Sequence, residues 1–295
     1  MTITEQPIAV SIDTVLLATD FSGASEKAAT YAKAIARRFG STLEMVHVVD
    51  PSAVAICDEV AGCMPPPDRL SDDAADQMRT QASFVEAGVV TKSFTTEGHD
   101  TAQTLLQLAH QHHADLIVAG TQSKTGVERL FLGSTAEQLI RTAECPVLTI
   151  GPSVVWPADG PLAFRCIVYA TDFSAQSAKA ARYALAFAAQ HGARLCCCYV
   201  ENSEAEVPAM RAGTTADFTE ALRNMMPENG SETCHPEFFV EHGDPAEGIL
   251  TLAHKVGADL IVLGPRKSSF WLKYVNRGLT PSLLAEAKCP VMTIC

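Results

Sequence analysis

The chain is short of positive charge. Its 22 lysines and arginines face 34 aspartates and glutamates, for a net charge of −12. That deficit argues against general nucleic-acid binding or attachment to an anionic membrane surface, both of which need a basic face to offset phosphate charge. Long hydrophobic runs are missing too: no stretch reaches the ~18–20 apolar residues a membrane helix requires. Residues 1–11 hold neither a basic residue nor an apolar block, so no secretory signal is expected there. The 18 glycines and 16 prolines are too few and too scattered for a fibrous or low-complexity chain. Apolar residues are plentiful, at 47% against 19% charged, the balance of a globular protein with a real core. Ten cysteines without a signal peptide point to buried free thiols in a reducing cytosol, hence a cytoplasmic location. Cys145, Cys166, Cys196, Cys197, Cys198 and Cys289 fit this by lying in or beside apolar segments.

A length of 295 residues favours two domains, and the chain repeats itself. Thr19-Asp20-Phe21-Ser22 returns as Thr171-Asp172-Phe173-Ser174, an offset of 152. Ala114-Asp115-Leu116-Ile117-Val118 returns as Ala258-Asp259-Leu260-Ile261-Val262, and Cys145-Pro146-Val147 as Cys289-Pro290-Val291, both offset by 144. The second copy is therefore 8 residues shorter in its middle. A tandem duplication follows, with domain 1 over 1–151, a linker over 152–163 and domain 2 over 164–295. Gly151, Pro152, Pro157, Gly160 and Pro161 mark the boundary.

Within a copy, short apolar runs alternate with helical spacing. Copy one predicts strands over 12–18, 43–49, 89–94, 116–119 and 147–150, and helices over 22–39, 68–87, 101–112 and 134–143. Strands apolar on both faces and alternating with helices form a parallel sheet covered on both sides. The expected fold class is α/β: two tandem doubly wound five-stranded parallel-sheet domains. Such sheets bind ligands outside the strand carboxyl ends, where strand order reverses.

Three segments of copy one fall at strand ends. Asp20 follows the first strand, where it serves equally as a ligand carboxylate or a turn residue, while Ser22, with Ser25 and Glu26, suits a helix cap. His47 and Val48 close the second; His47 reads as a satisfied core or edge histidine, and a backbone contact from Val48 leaves no trace in sequence. Gly120 follows the fourth, and Gly133-Ser134-Thr135 precedes a helix. Together they make an anion cradle of backbone N–H groups, hydroxyls and a helix N-terminus, although such residues are also ordinary loop chemistry. The Gly-x-x-x-x-Gly-Lys-Ser/Thr phosphate loop is absent.

Thr-Asp-Phe-Ser, His-Val, Gly-x-x-Ser-x9-Gly-Ser-Thr and Cys-Pro-Val-Leu in this order resemble the universal stress protein family, across both copies. The resemblance implies a Rossmann-like, adenine nucleotide alpha-hydrolase-like fold. It implies an adenine nucleotide (ATP, or AMP or ADP), with Mg²⁺ as an optional companion. Adenine would meet the backbone near Val48, with Ala18, Thr19 and Asp20 beside the adenosine. Gly120, Ser123, Gly133, Ser134 and Thr135 would hold ribose and phosphates. Ser123 departs from the family pattern, standing where its nucleotide-binding branch has a second glycine. The family's dimers imply that the last strands, 147–150 and 291–294, pair within the chain as a pseudo-dimer, with a homodimer as a further option.

Copy two keeps Asp172, Val200 and Gly264 but places Lys267, Arg277, Gly278 and Leu279 where copy one has Ser123, Gly133, Ser134 and Thr135. No family-type nucleotide binding is expected there; Arg266, Lys267, Lys273 and Arg277 could hold an anion by their side chains, with a solvated basic loop the preferred reading. No metal site is expected: the spacing of Cys57 and Cys63 matches no common zinc motif, and Cys234, His235 and His242 lack a fourth ligand. No catalytic motif appears. Three readings stay open: a stress protein that binds a nucleotide in domain 1 with domain 2 as structural or regulatory partner, a weak ATP hydrolase, and a protein-interaction module without a nucleotide.

Overall fold

Most strands form where apolar residues run unbroken, and several are followed by a helix that a serine or aspartate caps and a glycine often stops. The structure is a computed structural model that describes residues 10–50, 76, 89–121, 133–155, 164–201, 214–226, 234–264 and 279–295. It contains two compact units, Ser11–Gln122 with Gly133–Ile150, and Gly151–Cys295.

In the first unit the order is β1 (Thr14–Ala18), α1 (Gly23–Phe39), β2 (Thr42–Val49), β3 (Thr91–Glu97), α2 (Thr101–Gln111), β4 (Leu116–Gly120), α3 (Ser134–Thr142) and β5 (Val147–Ile150). The strands lie in the order β3-β2-β1-β4-β5, all parallel. Leu16, Leu17, Leu43, Met45, Ile117 and Leu148 have no solvent exposure, as expected for a sheet covered on both faces. Ala28, Tyr31, Ala32, Ile35 and Ala36 form the buried stripe of α1. Ser22 Oγ accepts the Ser25 N–H (3.3 Å) at its start, and Gly40 ends it with a left-handed φ of 71°.

The second unit repeats the plan: β6 (Cys166–Thr171), α4 (Ala175–His191), β7 (Arg194–Glu201), α5 (Thr215–Met225), β8 (Glu237–His242), α6 (Pro245–Val256), β9 (Leu260–Leu263), α7 (Leu279–Glu286) and β10 (Val291–Thr293). Its order is β8-β7-β6-β9-β10, again parallel. Ser174 caps α4 and Gly192 stops it with φ 62°, as Ser22 and Gly40 do for α1. At the start of the expected linker Val154 is buried, Ser153 Oγ donates to the Ala285 carbonyl (2.8 Å) and the Val155 N–H to that of Lys288 (3.2 Å).

Differences from the sequence reading are local. The third strand runs over Thr91–Glu97 instead of 89–94, and Val90 is exposed. β3 has β2 on one side only in its unit, so polar Thr95, Thr96 and Glu97 can carry it. The expected helix over 68–87 lies outside the described residues apart from the helical Asp76. Among the described residues no helix is long and apolar enough to cross a membrane.

The repeated Ala-Asp-Leu-Ile-Val segment carries more than core. Asp115 Oδ2 accepts the N–H groups of Asp13 and Thr14 (2.8 and 2.9 Å), and Asp259 Oδ2 those of Arg165 and Cys166 (2.8 and 3.0 Å). Each carboxylate thus ties the start of the fourth strand of its unit to the start of the first. Asp115→Ala and Asp259→Ala are each expected to cost about 1–3 kcal/mol in urea unfolding, by removing charge-assisted hydrogen bonds. The two repeats also differ at the end of α2. His113 has φ 51° where Gly257 has φ 67°. His113→Gly is therefore expected to raise stability by about 0.5–1 kcal/mol, since a side chain in the left-handed region costs more than glycine's extra chain entropy.

Candidate functional site

Strand order reverses between β1 and β4, which lie paired with Ala18 opposite Ala119. Asp20 and Gly120 thus meet at the carboxyl end of the sheet, where an open α/β sheet leaves its crevice. The Thr19 N–H donates to the Val46 carbonyl (2.9 Å) and ends the ladder from β1. Next in line is the Phe21 N–H, which goes to Thr19 Oγ1 (3.2 Å), with Phe21 held at φ 59°. A left-handed phenylalanine is uncommon and marks a backbone held by its surroundings.

Asp20 is exposed. Its Oδ1 accepts the Ser22 N–H (3.0 Å) and the Ser22 hydroxyl (2.5 Å). Partial burial raises its pKa, but the hydroxyl and N–H of Ser22 and the hydroxyl of Ser25 outweigh this and hold the carboxyl below its ordinary value. Asp20 is therefore an ionised acceptor at neutral pH.

Val48 is placed by the strand register, which fixes the direction of its backbone. Parallel strands turn alternate residues toward alternate neighbours. The Val46 carbonyl faces β1, and that of Val49 faces the other way and accepts the Gly98 N–H (3.0 Å). Val48, two residues after Val46, turns its backbone to the β1 side, past the point where the ladder stops. His47 lies beside it, its Nδ1–H donating to the Thr19 carbonyl (2.8 Å) and its ring against Phe21 (centroids 4.5 Å). His47 is thus the satisfied, half-buried histidine expected of it, and it also braces the Thr19–Phe21 turn. The Phe21–His47 contact escaped sequence reasoning, since nothing local announces a left-handed phenylalanine.

Gly120 is explained by packing. A Cβ there would lie 2.5 Å from the Ala24 carbonyl oxygen and 2.9 Å from the Ser25 nitrogen. Gly264 is held the same way, 2.5 Å from the Gln176 carbonyl. Gly133 is different: a Cβ would meet nothing within 4 Å. It occupies the N-cap of α3, where among the described residues no side chain accepts from the first N–H groups, and Ser134 and Thr135 fill the first helical positions. Because α3 follows β4 and precedes its parallel neighbour β5, its N-terminus lies at the same end of the sheet as Gly120 and Asp20. Free N–H groups and the positive end of the helix dipole suit an anion. Ser123 lies outside the described residues.

The second unit keeps the turn and fills its surroundings. Phe173 also has φ 59°, and Asp172 Oδ1 accepts the Ser174 N–H (2.9 Å) and the Ser177 hydroxyl (2.5 Å). Tyr169, where the first unit has Leu17, is fully buried and donates to the Ser177 carbonyl (2.6 Å). Tyr199, where the first unit has His47, lies 4.7 Å from both Phe173 and Phe218. Thr171 Oγ1 donates to Met225 Sδ (3.3 Å), bringing the end of α5 onto the end of β6. Arg266, Lys267, Lys273, Arg277 and Gly278 lie outside the described residues, and Leu279 opens α7.

Other singled-out groups disperse. Cys234 donates to the Ala193 carbonyl (3.6 Å) before β8, and His242 at the far end of that strand faces Glu201 (2.9 Å). His112 Nδ1 meets the buried Glu44 carboxylate (2.5 Å), which Lys92 also reaches (3.1 Å), and His110 meets Glu144 (3.1 Å). Cys57 and Cys63 lie outside the described residues. Among the described residues, no three His, Cys, Asp or Glu side chains are grouped to hold a metal.

Comparison with known proteins places this geometry in context. The model described as "Universal stress protein family" matches residues 11–151 and again 163–294. A universal stress protein of Methanocaldococcus jannaschii is 33% identical over 137 residues, covering 46% of this chain and 80% of that protein. One from Thermus aquaticus is 31% identical over 148 residues, covering 46% of this chain and 97% of that protein. The crystal structure of a universal stress protein from Archaeoglobus fulgidus superposes over 98% of both chains, with a TM-score of 0.74 at 19% identity.

The glycines separate by experiment. Gly120→Ala and Gly264→Ala should each destabilise by about 1–3 kcal/mol through overlap with the following helix. Gly133→Asp should leave stability unchanged or raise it by about 0.3 kcal/mol, because it supplies the missing cap. Chemical denaturation of the three variants checks both.

Proposed function

The chain belongs to the universal stress protein family in tandem form, and from that premise we propose that the first unit binds an adenine nucleotide while the second serves as its structural or regulatory partner. The observation that carries this is the uncapped N-terminus of α3 at Gly133, at the same sheet end as the ionised Asp20 and the β1-side backbone of Val48. A nucleotide has parts for each. The α3 N–H groups and the Ser134 and Thr135 hydroxyls suit phosphate oxygens, as does Ser123 by family resemblance. The Asp20 carboxylate suits ribose hydroxyls, and the backbone N–H and C=O of Val48 suit the edge of adenine. Ala18 and Thr19 set the floor, and Gly120 keeps α1 close enough to bring Asp20 to the crevice. These residues fit ATP, ADP or AMP, with phosphates and one carboxylate as the ligands Mg²⁺ prefers.

The acidic first half, with 10 basic and 19 acidic residues over 1–150, supplies no basic field, so local backbone donors carry the phosphate contact. We place this activity in a reducing cytoplasm, in line with the eight free cysteines of the described residues.

Thermal melting tests the reading. Millimolar ATP or AMP should raise the melting temperature of the full chain, since a ligand bound only by the folded state stabilises it. Gly133→Arg, which copies the residue of the second repeat into a position with open space, should abolish the rise while leaving ligand-free melting nearly unchanged. The absence of any rise with either nucleotide would overturn the proposal. Because Asp20 titrates below its ordinary value, binding should not weaken between roughly pH 7 and pH 5.

A further inference from the structure

The second repeat has changed at the opposite end of its sheet as well. Cys166, the first residue of β6, and Cys196 of β7 stand where the first repeat has Thr14 and Glu44. Their sulfur atoms are 3.9 Å apart, and neither is in a disulfide. Cys166 pairs with Arg194 and Cys196 with Val168, so the two thiols reach each other diagonally across adjacent strands. Cys196 is completely buried, whereas Cys166 is 4% exposed at the strand's start, between the exposed Arg165 and Arg194.

We propose that Cys166 and Cys196 form a peroxide-sensitive dithiol that closes to a reversible disulfide within the second unit. Either thiol can donate across this contact; with Cys196 as donor the bond favours the Cys166 thiolate, an effect that burial opposes and the Arg194 charge reinforces. Cys166 is thereby held below the ordinary thiol range, and Cys196 is pushed above it by the same hydrogen bond and by burial. Burial pushes Cys145 up to about 11 and Cys198 and Cys289 up to about 12. Cys166, at the strand's start opposite the exposed Arg194, is reachable from solvent where Cys196 is enclosed, and is therefore the nucleophile. Its thiolate attacks one oxygen of hydrogen peroxide. The S–O bond forms, the O–O bond breaks, and the departing hydroxide takes a proton to become water. Cys196 then gives up its proton and attacks the Cys166 sulfenic acid, forming the S–S bond and releasing a second water. Two thiols and one peroxide become one disulfide and two waters. Closing the sulfurs from 3.9 Å to the ~2.05 Å of a disulfide requires side-chain rotation and a small shift of the first residue of β6.

The test is peptide mapping of the full chain after graded hydrogen peroxide, with remaining thiols alkylated under denaturing conditions. The expected product is a cross-linked pair of peptides containing Cys166 and Cys196, lighter by two hydrogen atoms and restored by dithiothreitol. Cys196→Ser should leave Cys166 as a sulfenic acid that a cyclic 1,3-dione probe captures, and Cys166→Ser should leave Cys196 unmodified. Oxidation confined to the more exposed Cys145 and Cys295, or probe capture at Cys196 instead of Cys166, would overturn the proposal. The wild-type map decides the matter even if a variant fails to fold.

Discussion

The carbonyl oxygen of Ala24 lies 2.5 Å from the point where a side chain on Gly120 would begin. This close approach of the first turn of α1 to the end of β4 holds the crevice in shape. It leaves the chain only Thr19 to Ser22 to pass from β1 to α1, and that short passage puts Phe21 in the left-handed region and Asp20 at the surface. The Thr19 hydroxyl accepts from Phe21, the Ser22 hydroxyl caps α1, and Asp20 takes the Ser22 donors. Each bond satisfies a polar group that the tight turn would otherwise strand. Gly264 and Gln176 reproduce the constraint in the second unit, with Phe173 left-handed again. The frame is thus older than the difference between the two repeats.

What differs is the filling of that frame. The second unit has Tyr169 and Tyr199 at positions of Leu17 and His47, and it brings Phe218 against Tyr199 and Met225 against Thr171. Such aromatic and thioether surface packs well, and the Tyr169 hydroxyl is already spent on the Ser177 carbonyl. Its cysteines follow the same trend toward apolar filling, with Cys196, Cys197 and Cys198 fully buried along β7. The charge deficit is also divided unevenly between the repeats. Residues 1–150 carry 19 acidic and 10 basic residues, against 15 and 12 in residues 151–295. A phosphate group in the first unit would be held against the average field, by donors aimed at it from short range.

Much of this was legible in the sequence because it rests on local patterns. Apolar runs located eight of the nine expected strand and helix positions of the first repeat to within a few residues, the 68–87 helix lying outside the described residues, and Ser22, Gly40 and Asp20 act where a short polar or glycine residue is needed. Less legible were features set by distant neighbours. The third strand extends into Thr95, Thr96 and Glu97, which no apolar pattern marks, because pairing with β2 suffices at an edge. Gly120 reads in sequence as an anion contact, yet the atoms nearest it belong to α1, four elements earlier in the chain. Asp115 reads as the start of an apolar strand, and its bonds run to Asp13 and Thr14 about a hundred residues away. Val48 turns its backbone toward the β1 side, a direction that side-chain identity does not encode.

The central claim is that duplication produced two matching frames of which the first alone binds a nucleotide. Equilibrium dialysis of radiolabelled ATP against the full chain, carried to saturation, measures this directly. The account predicts one nucleotide bound per 295-residue chain. Two per chain would contradict the divergence of the second unit, and none would contradict the nucleotide site itself.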